Sequence, residues 1–574
     1  MFLPTTSDEM KKRDWNRLDV ILVTGDAYID SPHIGVAIIG HLLASAGYRV
    51  GIIPQPDIQS DADIRRLGEP RLFWGITGGC MDSMVANYTA TRKKRRDDDL
   101  TPGGKNNRRP DRACVVYANL IRQYFKNTKP LVLGGVEASL RRIAHYDYWS
   151  DSIRRSVLFD ARADILAYGM AERAIVEIAR RLAAGNDLKN IRGTCTIESE
   201  PSPGYLELPS YEKVAAGKKA FTDMFKIFCS NNDPITASGL YQQHGNRYLI
   251  HHPPAAHLSI AELDAIYALD FLRRVHPFYE NQGKIRAMDT ISFSLTTHRG
   301  CFGGCHFCSI ALHEGRTILS RSEASILVEA RKIAALPDFK GYLVDVGGAT
   351  ANMYAIDCSR KQTRGVCPGK RCLYPQVCSS LQVDHSRQIH LLKNLRRIPG
   401  IKKVFVASGI RHDLLLADQK HGASYMRELV KHHISGQLKI APEHTEPSVL
   451  AHMGKPQSQA LVQFKNLFEK MNIETGQKQF LTYYFIAAHP GCTEEDMRKL
   501  KSFASRELHT TPQQVQIFTP LPSTTSALMY WTGVDPATGR KVYVEKDVRK
   551  KQRQKDIVTS DRKRLGERYK VAPR

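Results

Sequence analysis

Three cysteines, Cys301, Cys305 and Cys308, share one short glycine-rich stretch near the middle of the chain, with the spacing Cys-x3-Cys-x-Phe-Cys. Three thiols this close together are typical of a metal site. Structural zinc normally takes four protein ligands and electron-transfer clusters usually take four cysteines, so three ligands predict an iron–sulfur cluster with one iron left open. Two alternatives stay open: a zinc site that uses His306 as its fourth ligand, and three free buried thiols.

The spacing and its glycines resemble the signature of radical S-adenosylmethionine (SAM) enzymes, in which an aromatic residue such as Phe307 precedes the last cysteine. The resemblance implies a [4Fe–4S] cluster held by Cys301, Cys305 and Cys308, with SAM chelated to the fourth iron. An electron from the cluster then cleaves SAM to a 5′-deoxyadenosyl radical. The same resemblance implies an external electron donor of the flavodoxin or ferredoxin type.

Further candidate SAM-binding residues follow the next two predicted strands. Gly347 and Gly348 stand where radical SAM enzymes carry a Gly-Gly-Glu-like segment that binds the SAM amino group, although the acidic residue is absent here. Ser408 and Arg411 offer a hydroxyl and a guanidinium for the ribose or carboxylate of SAM. A plain turn at the glycines and an ordinary helix-start cation at Arg411 are the alternatives. Two carboxylates and an imidazole at 443–446 follow the fourth predicted strand, and the sequence assigns them no role.

A second group of four cysteines lies in a long insertion, residues 357–380, after the second strand of this half: Cys358, Cys367, Cys372 and Cys378. Four thiols this close in sequence could close a zinc or an auxiliary iron–sulfur site. The spacing matches no standard zinc-ribbon or ferredoxin pattern. Disulfides are disfavoured, since a cluster protein belongs in a reducing compartment. A second metal site and a set of free thiols therefore both stay open.

Strand-like and helical patterns alternate after the cysteine triplet, which predicts parallel strands joined by crossover helices. Six strands fit a partial TIM-type barrel, whose chemistry lies at the carboxyl ends of the strands. The first of them ends shortly before Cys301, as that rule requires. The six predicted strands are Thr290–Leu295, Tyr342–Val346, Lys403–Ala407, Leu438–Ala441, Phe480–Ala487 and Val515–Phe518.

The first two hundred or so residues predict a separate α/β unit, most simply a doubly wound, flavodoxin-like sheet that binds ligands at the carboxyl ends of its strands. Segments at 134–137 and 169–172 resemble the Gly-Gly and Gly-x-x-Glu stretches of cobalamin-binding domains. Such domains ligate cobalt through an Asp-x-His-x-x-Gly loop, and the spacing of Asp30, His33 and Gly35 does not match it. The sequence favours loss of cobalamin and leaves open its binding without a protein ligand. The predicted strands are Val20–Val23, Val50–Ile53, Leu72–Ile76, Leu131–Leu133 and Ile165–Tyr168.

Nearly the whole chain resembles the YgiQ family of radical SAM proteins. Besides the cysteine triplet, the resemblance is carried by GDAYID at 25–30, GGVEASLRR at 134–142, AHYDYW at 144–149 and FTPLPS at 518–523. It implies an iron–sulfur enzyme that uses SAM, and it supplies no substrate. The stretch AHPGCT at 488–493 resembles a Pro-Gly-x-Thr stretch of methylthiotransferases and related RNA-modifying enzymes, which keeps methyl or methylthio transfer in view.

The 574 residues, of which 42% are hydrophobic, are enough for several packed domains. We expect a cobalamin-binding-like domain at 1–204, a bridging segment at 205–285, a radical SAM barrel at 286–525 and a basic tail at 526–574. No stretch is long and apolar enough to span a bilayer, and the start lacks the apolar core of a signal peptide. We therefore expect no membrane partner and a cytoplasmic location.

The formal charge of +25 is concentrated in basic runs at 92–96, 105–112 and 540–574. Such a charge attracts polyanions, and RNA is the obvious candidate partner. Few aromatic residues interleave the tail and no standard RNA-binding motif is present, so a solvated tail is at least as good an interpretation. A different class of hypothesis makes the chain an iron–sulfur or zinc-containing nucleic-acid-binding protein, or a redox sensor, without SAM chemistry.

Overall fold

A nine-stranded sheet organises the first half of the chain in the computed structural model, which describes residues 1–559. Every residue of Val20–Thr24 is buried, as expected for a parallel strand with helices on both faces. The strands of this half are β1 (Val20–Thr24), β2 (Ile29–Asp30), β3 (Val50–Pro54), β4 (Phe73–Thr77), β5 (Leu131–Gly134), β6 (His145–Asp147), β7 (Ser152–Arg154), β8 (Ile165–Ala167), β9 (Thr194–Glu198), β10 (Leu206–Leu208), β11 (Leu240–His244) and β12 (Arg247–His251).

Five of these strands form the parallel core of the sheet, in the spatial order β3, β1, β4, β5, β8. Counted along the chain this order is 2-1-3-4-5, that of flavodoxin-like sheets, which bind ligands where the order reverses. All five strands expected from apolar runs are present. Four further strands, β9 to β12, extend the sheet beyond β8. The strands between 206 and 251 thus lie in this sheet, inside the segment expected to bridge two domains.

Helices cover both faces of the sheet. The helix that begins at Glu172 has its acidic residue in the first turn and two arginines in the last turn, which suits the helix dipole. The helices of this half are α1 (Ser7–Lys11), α2 (Gly35–Ser45), α3 (Ala62–Arg65), α4 (Ser83–Asn87), α5 (Ala113–Tyr124), α6 (Gly135–Leu140), α7 (Val157–Asp160), α8 (Glu172–Ala183), α9 (Tyr211–Ala216), α10 (Lys218–Ser230) and α11 (Ile260–Ala268).

The second half contains short strands, most of them parallel to their neighbours. They are β13 (Arg274–Val275), β14 (Ser294–Thr296), β15 (His298–Arg299), β16 (Leu319–Ser320), β17 (Tyr342–Leu343), β18 (Asp345–Gly347), β19 (Lys403–Val404), β20 (Gln437–Glu443), β21 (Phe480–Ala487) and β22 (Gln514–Ile517). β14 pairs with β18, β17 with β19, and β20 with β21, which pairs with β22. A parallel bridge between Ile410, which follows β19, and Ile440 of β20 links the β17–β19 pair to the three-stranded group of β20, β21 and β22. Counting β17 and β18 as one interrupted strand, six segments lie side by side in chain order.

Helices follow these strands and enclose a second apolar core, separate from the cores of the first half. They are α12 (Met288–Ile291), α13 (Ile310–His313), α14 (Glu323–Ala334), α15 (Ser359–Arg364), α16 (Ser386–Arg396), α17 (His412–Ala417), α18 (Gly422–His432), α19 (Pro447–Met453), α20 (Gln459–Thr475), α21 (Glu494–Arg506), α22 (Thr525–Thr532) and α23 (Val548–Thr559). None of the helices within residues 1–559 combines the length and the apolar character that crossing a membrane requires.

The C-terminal segment is packed on both halves of the chain as far as it is described, with α22 against α10 and β6 of the first half. α22 begins at Thr525 and so crosses the expected limit at 525/526. α23 lies against α21 and β22 and buries Gln554 and Val558 completely. The Gln554 side chain accepts a hydrogen bond from the Ala488 N–H (2.9 Å) and donates one to the Cys492 carbonyl (3.2 Å). A solvated tail was one interpretation of the basic C-terminal sequence. The tail is packed as far as residue 559, and residues 560–574 lie outside the described residues.

Part of the basic run at 105–112 is buried inside the first unit. Arg109 pairs with Asp26 (2.5 Å) and Asp98 (2.9 Å), and Arg112 pairs with Asp147 (2.8 Å). These two arginines neutralise buried carboxylates, so they are not available to a polyanion. The run at 92–96, in contrast, is exposed throughout.

Candidate metal and cofactor site

The cysteine loop leaves β15 and turns sharply through two glycines with positive φ, Gly300 (85°) and Gly304 (53°). A Cβ atom at Gly300 would lie 2.2 Å from the Thr317 carbonyl oxygen. Only glycine combines this backbone conformation with so close an approach. The Gly300 N–H donates to the Glu314 carboxylate (2.9 Å), which fixes the start of the loop.

Two thiols of the triplet flank Gly303, and the charges of both act on the third cysteine, Cys308. A Cβ atom at Gly303 would lie 3.3 Å from Cys301 Sγ and 3.5 Å from Cys305 Sγ. Burial, together with the charges of the neighbouring thiols, raises the pKa of Cys308 to about 12, and burial also raises the pKa of Cys301. When neighbouring thiols are deprotonated, their negative charges repel one another. A nearby cation or metal is then needed to balance these charges. This donor set, three thiols on one glycine-rich loop, fits the ligands of an iron–sulfur cluster with one open iron.

The imidazole of His306 lies against the C-terminal end of α19. Its Nδ1 lies 2.7 Å from the His452 carbonyl oxygen, and burial lowers its pKa to about 3. Within residues 1–559 no three Cys, His, Asp or Glu side chains are placed to hold a single metal ion together. His306 therefore has a backbone partner at Nδ1, and neither the triplet alone nor the triplet with His306 forms a single-ion site within residues 1–559.

A buried arginine faces the middle cysteine. Arg411 Nη1 lies 3.6 Å from Cys305 Sγ, and the carboxylate of Asp413 holds the same guanidinium at 2.8 and 2.6 Å. The Arg411 N–H donates to the side chain of Asn352 (2.8 Å). Sequence reasoning offered Arg411 to SAM and missed Asp413, although a carboxylate two residues after a buried arginine is a signal for such a pair. The guanidinium supplies positive charge at a thiol that a cluster needs as thiolate.

The other candidate SAM residues lie at the ends of β18 and β19, beside the start of the cysteine loop. The Gly347 carbonyl accepts from the Thr297 N–H (2.7 Å), and a Cβ atom at Gly348 would lie 2.6 Å from the His298 carbonyl oxygen. The Ser408 hydroxyl and N–H both donate to Asp345, the latter at 3.1 Å. Asp345 was not predicted, and it fixes a hydroxyl that the sequence offered to SAM.

Of the polar residues after the fourth strand of the second half, Glu443 faces the cysteines. Its φ of 70° is rare for a residue with a side chain and marks stored backbone strain. Burial raises the pKa of Glu443, and Lys455 Nζ lies 3.8 Å from its carboxylate. The charge of Glu443 in turn contributes to the raised pKa of Cys308. His444 points elsewhere, with Nε2 3.6 Å from the buried Cys492 thiol.

A cavity of about 400 Å³ lies between the two halves of the chain. One wall is the carboxyl edge of β1, β4 and β5, where the strand order of the first sheet reverses. The opposite wall consists of residues beside the cysteine loop, including His298, Glu314 and Gly348. Its size lies within the range of small-molecule sites. Because Gly348 borders it, the cavity adjoins the candidate SAM segment.

An ion pair between Glu172 of the first half and Arg299 of the second lines this cavity. The Tyr267 hydroxyl accepts from Arg299 Nε (3.1 Å). One carboxylate oxygen of Glu172 and Nη2 of Arg299 are buried without a hydrogen-bond partner among residues 1–559. Buried charged atoms without partners are costly, so a cavity lined by them suits a ligand with polar groups.

His33 also lines the cavity. It is the histidine that the sequence comparison set against the cobalt-binding histidine of cobalamin domains. Its Nδ1 lies 3.3 Å from the Ser31 hydroxyl and its Nε2 lies 3.4 Å from the Thr296 hydroxyl. Burial, with the charges of two nearby arginines, lowers the pKa of His33 to about 3. Both ring nitrogens thus have protein partners, which does not fit a histidine presented to a metal in the cavity.

One apolar cluster brings together the loop and the insertion: it contains Cys358, and Cys301 of the triplet packs against it, as do Cys372 and Cys378. The Cys378 N–H donates to the Cys372 carbonyl (2.8 Å). Cys367 follows a residue whose N–H donates to Asp233 of the first half (3.1 Å). The insertion therefore covers one side of the cysteine loop and is tied to both halves of the chain.

Two solved structures resemble this chain at low sequence identity. The radical SAM methyltransferase TsrM of Kitasatospora setae, with cobalamin and a [4Fe–4S] cluster bound, aligns at 13% identity and a TM-score of 0.47, over 88% of this chain and 76% of that one. The cobalamin-dependent SAM radical enzyme OxsB, with aqua-cobalamin and SAM bound, aligns at 12% identity and a TM-score of 0.49, over 88% and 55% of the two chains.

Sequence comparison gives much stronger matches. Residues 2–294 match the family described as Radical SAM N-terminal. A UPF0313 protein of Fusobacterium nucleatum is 55% identical over 98% of this chain and 99% of its own length. UPF0313 proteins of Thermotoga maritima and Methanocella arvoryzae are each 48% identical, over 98% and 95% of this chain and 99% and 90% of their own. The similarity thus extends across both halves of the chain.

Proposed function

Since this chain belongs to the UPF0313 (YgiQ) family and carries a radical SAM N-terminal domain, we propose that it is a radical SAM enzyme with a [4Fe–4S] cluster on Cys301, Cys305 and Cys308. The observation that supports the proposal is a glycine-rich loop that carries three cysteines, two of them with thiols beside Gly303, and a buried guanidinium at the middle one. When bound, such a cluster supplies the electron that cleaves SAM reductively.

The residues around the loop have separate tasks in this proposal. Arg411 balances the negative charge of Cys305, and Asp413 holds the guanidinium in place. Gly300 and Gly304 allow the loop to fold closely around a bulky group. Glu443, with its raised pKa, can take up a proton near Cys308 and so avoid adding another negative charge there.

We assign SAM binding to Gly347, Gly348, Ser408 and Arg411, as the sequence resemblance implies. Two positions support this assignment. Gly348 borders the cavity, and Arg411 contacts the cysteine loop. Asp345 and Asp413 act as positioning residues, because each carboxylate fixes the side chain of one of the four. The second cysteine group remains a candidate for a further metal or cluster.

The substrate, in this proposal, occupies the cavity between the two halves, which adjoins the candidate SAM segment at Gly348. The unpartnered atoms of Glu172 and Arg299 would bind a polar group of the substrate, and the apolar strand ends would bind the remainder. The geometry does not select a product. Methyl or methylthio transfer and an RNA substrate therefore stay as classes to test.

The domain assignment belongs to the same proposal. Residues 1–204 would form a flavodoxin-like, cobalamin-binding-like domain, 205–285 a connection, and 286–525 a partial TIM-type barrel with the insertion 357–380, followed by 526–574. We favour a first domain that binds no cobalamin, because both ring nitrogens of His33 have protein partners. A cytoplasmic location follows from the reducing conditions that a cluster needs. Titration with hydroxocobalamin, followed by absorbance, tests the cobalamin statement.

Metal analysis tests the cluster assignment. Anaerobically reconstituted wild type should contain iron and sulfide and, once reduced, give an electron paramagnetic resonance signal that changes when SAM is added. Cys305→Ala should lose this signal, whereas Cys378→Ala, a matched change in the second cysteine group, should keep it. Zinc in place of iron would support the structural-metal hypothesis. Iron without a response to SAM would support a redox sensor.

A further inference from the structure

The insertion beside the cysteine loop carries charge of a single sign. Between Asp357 and Asp384 the chain has no Asp or Glu, and it has five basic residues: Arg360, Lys361, Arg364, Lys370 and Arg371. None of the five forms an ion pair with a carboxylate of residues 1–559. Arg360, Arg364 and Lys370 are exposed. These three residues, called the positive patch below, form an unneutralised basic surface.

The two remaining cations attach the insertion directly to the cysteine loop. Arg371 donates to the Gly304 carbonyl, next to Cys305 in the chain. Lys361 Nζ lies 4.6 Å from the centre of the Phe302 ring, next to Cys301. Both cations contact residues that lie between Cys301 and Cys305 in the chain. The positive patch therefore lies on a segment in direct contact with the cysteine loop.

We propose that the positive patch is the docking surface for an acidic one-electron carrier protein of the flavodoxin or ferredoxin type. The proposal rests on the proposed function, since a carrier is needed only where the loop holds a cluster. Complementary charge speeds association and orients the partners. Electron transfer weakens steeply with distance, and the insertion that carries the patch contacts the cysteine loop through Arg371 and Lys361. The carrier would give up one electron to a cluster held by Cys301, Cys305 and Cys308, and no bond would form or break.

RNA is the other polyanion that a basic surface could bind. The run at 92–96 is equally exposed and as basic, yet it contacts residues such as Tyr148 and Val85 and not the cysteine loop. Contact with the loop distinguishes the insertion, and an electron carrier makes use of that contact while RNA binding does not require it. The structure therefore favours the carrier.

The test compares two triple charge reversals in the full-length protein. Arg360→Glu, Arg364→Glu and Lys370→Glu together change the patch. Lys93→Glu, Lys94→Glu and Arg96→Glu change net charge equally in the exposed run of the first half. Affinity for an oxidised flavodoxin of net negative charge is measured by calorimetry at low and high salt. 5′-Deoxyadenosine formation is measured with dithionite and, separately, with reduced flavodoxin.

The patch variant should lose about tenfold or more of the flavodoxin affinity at low salt, with a weaker salt dependence, and the control variant should change little. Dithionite-driven cleavage should be unchanged in both. Equal losses in the two variants, or an unchanged affinity in the patch variant, would overturn the proposal. So would loss of RNA binding, in a gel-shift assay, with flavodoxin affinity intact. If wild type cleaves no SAM with dithionite, the proposed function fails, while the affinity comparison still decides the docking surface.

Discussion

Arg299, two residues before the first cysteine of the triplet, forms a buried ion pair with Glu172 at the start of α8. The side chains of both residues are 5% exposed. The first half of the chain therefore holds the base of the loop that the second half provides.

Removing one partner of this pair should be costly. Glu172→Ala leaves an uncompensated buried guanidinium, and we expect the free energy of unfolding to fall by about 3 kcal/mol or more. Glu177→Ala, which removes the partner of arginines on the surface of the same helix, should cost less than about 1 kcal/mol. Urea unfolding of the two apo variants measures both values. Equal losses would show that the buried pair adds no stability.

Gly348 and Gly409 offer a matched pair of substitutions beside the candidate SAM site. A Cβ atom at Gly348 would lie 2.6 Å from the His298 carbonyl oxygen, whereas one at Gly409 would meet nothing within 4 Å. We expect Gly348→Ala to lower SAM affinity by about tenfold or more, because the segment must shift by a large fraction of an ångström. Gly409→Ala should bind SAM normally. Equilibrium dialysis with labelled SAM measures both, and normal binding by Gly348→Ala would remove this segment from the site.

Asp413 should act through Arg411. Asp413→Asn keeps the shape of the side chain and removes the charge that holds the guanidinium, so Arg411 should turn away from Cys305. We expect an altered reduction potential of the cluster and slower SAM cleavage, with iron content close to that of wild type. Asp413→Glu should restore part of the potential shift. A potential identical to that of wild type in Asp413→Asn would contradict a role at the cysteine loop.

Lys551 of α23 gives the protein a specific pH dependence. It is buried and donates to the hydroxyls of Tyr530 (2.7 Å) and Tyr148 (3.2 Å), and burial lowers its pKa from 10.5 to about 8. Between these values the unfolded chain binds more protons at this lysine than the folded chain, so its contribution to stability rises with pH. The difference in unfolding free energy between wild type and Lys551→Met should therefore shift in favour of wild type from pH 7.5 to 9.5. A difference that stays constant over this interval would contradict the burial of a titrating lysine.

The sequence predicted the elements that consist of buried apolar runs, and it missed those stabilised by polar contacts. β1, β3, β4, β5 and β8 are short apolar runs and were all expected. α23 was not expected, because its buried residues, Lys551, Gln554 and Val558, are mostly polar, although their spacing places them on one helical face. Its sequence therefore suggested a solvated basic tail.

The candidate site shows the same division. Cysteine spacing alone was enough to propose the triplet as a site, because residues on one loop are near each other in sequence. The contacts that join distant segments could not be read in this way: Arg411 with Cys305, and Glu172 with Arg299, are separated by 106 and 127 residues. The first pair depends on how the strands of the second half are arranged and the second pair on how the two halves meet, and no local pattern records either.

The most direct test of the central claim is the amount of 5′-deoxyadenosine formed from SAM by the anaerobically reconstituted, dithionite-reduced protein. We expect formation by wild type and by Cys378→Ala, and none above background by Cys305→Ala. Formation by Cys305→Ala at the wild-type rate, or none by a wild type that holds a full cluster and binds SAM, would contradict the account.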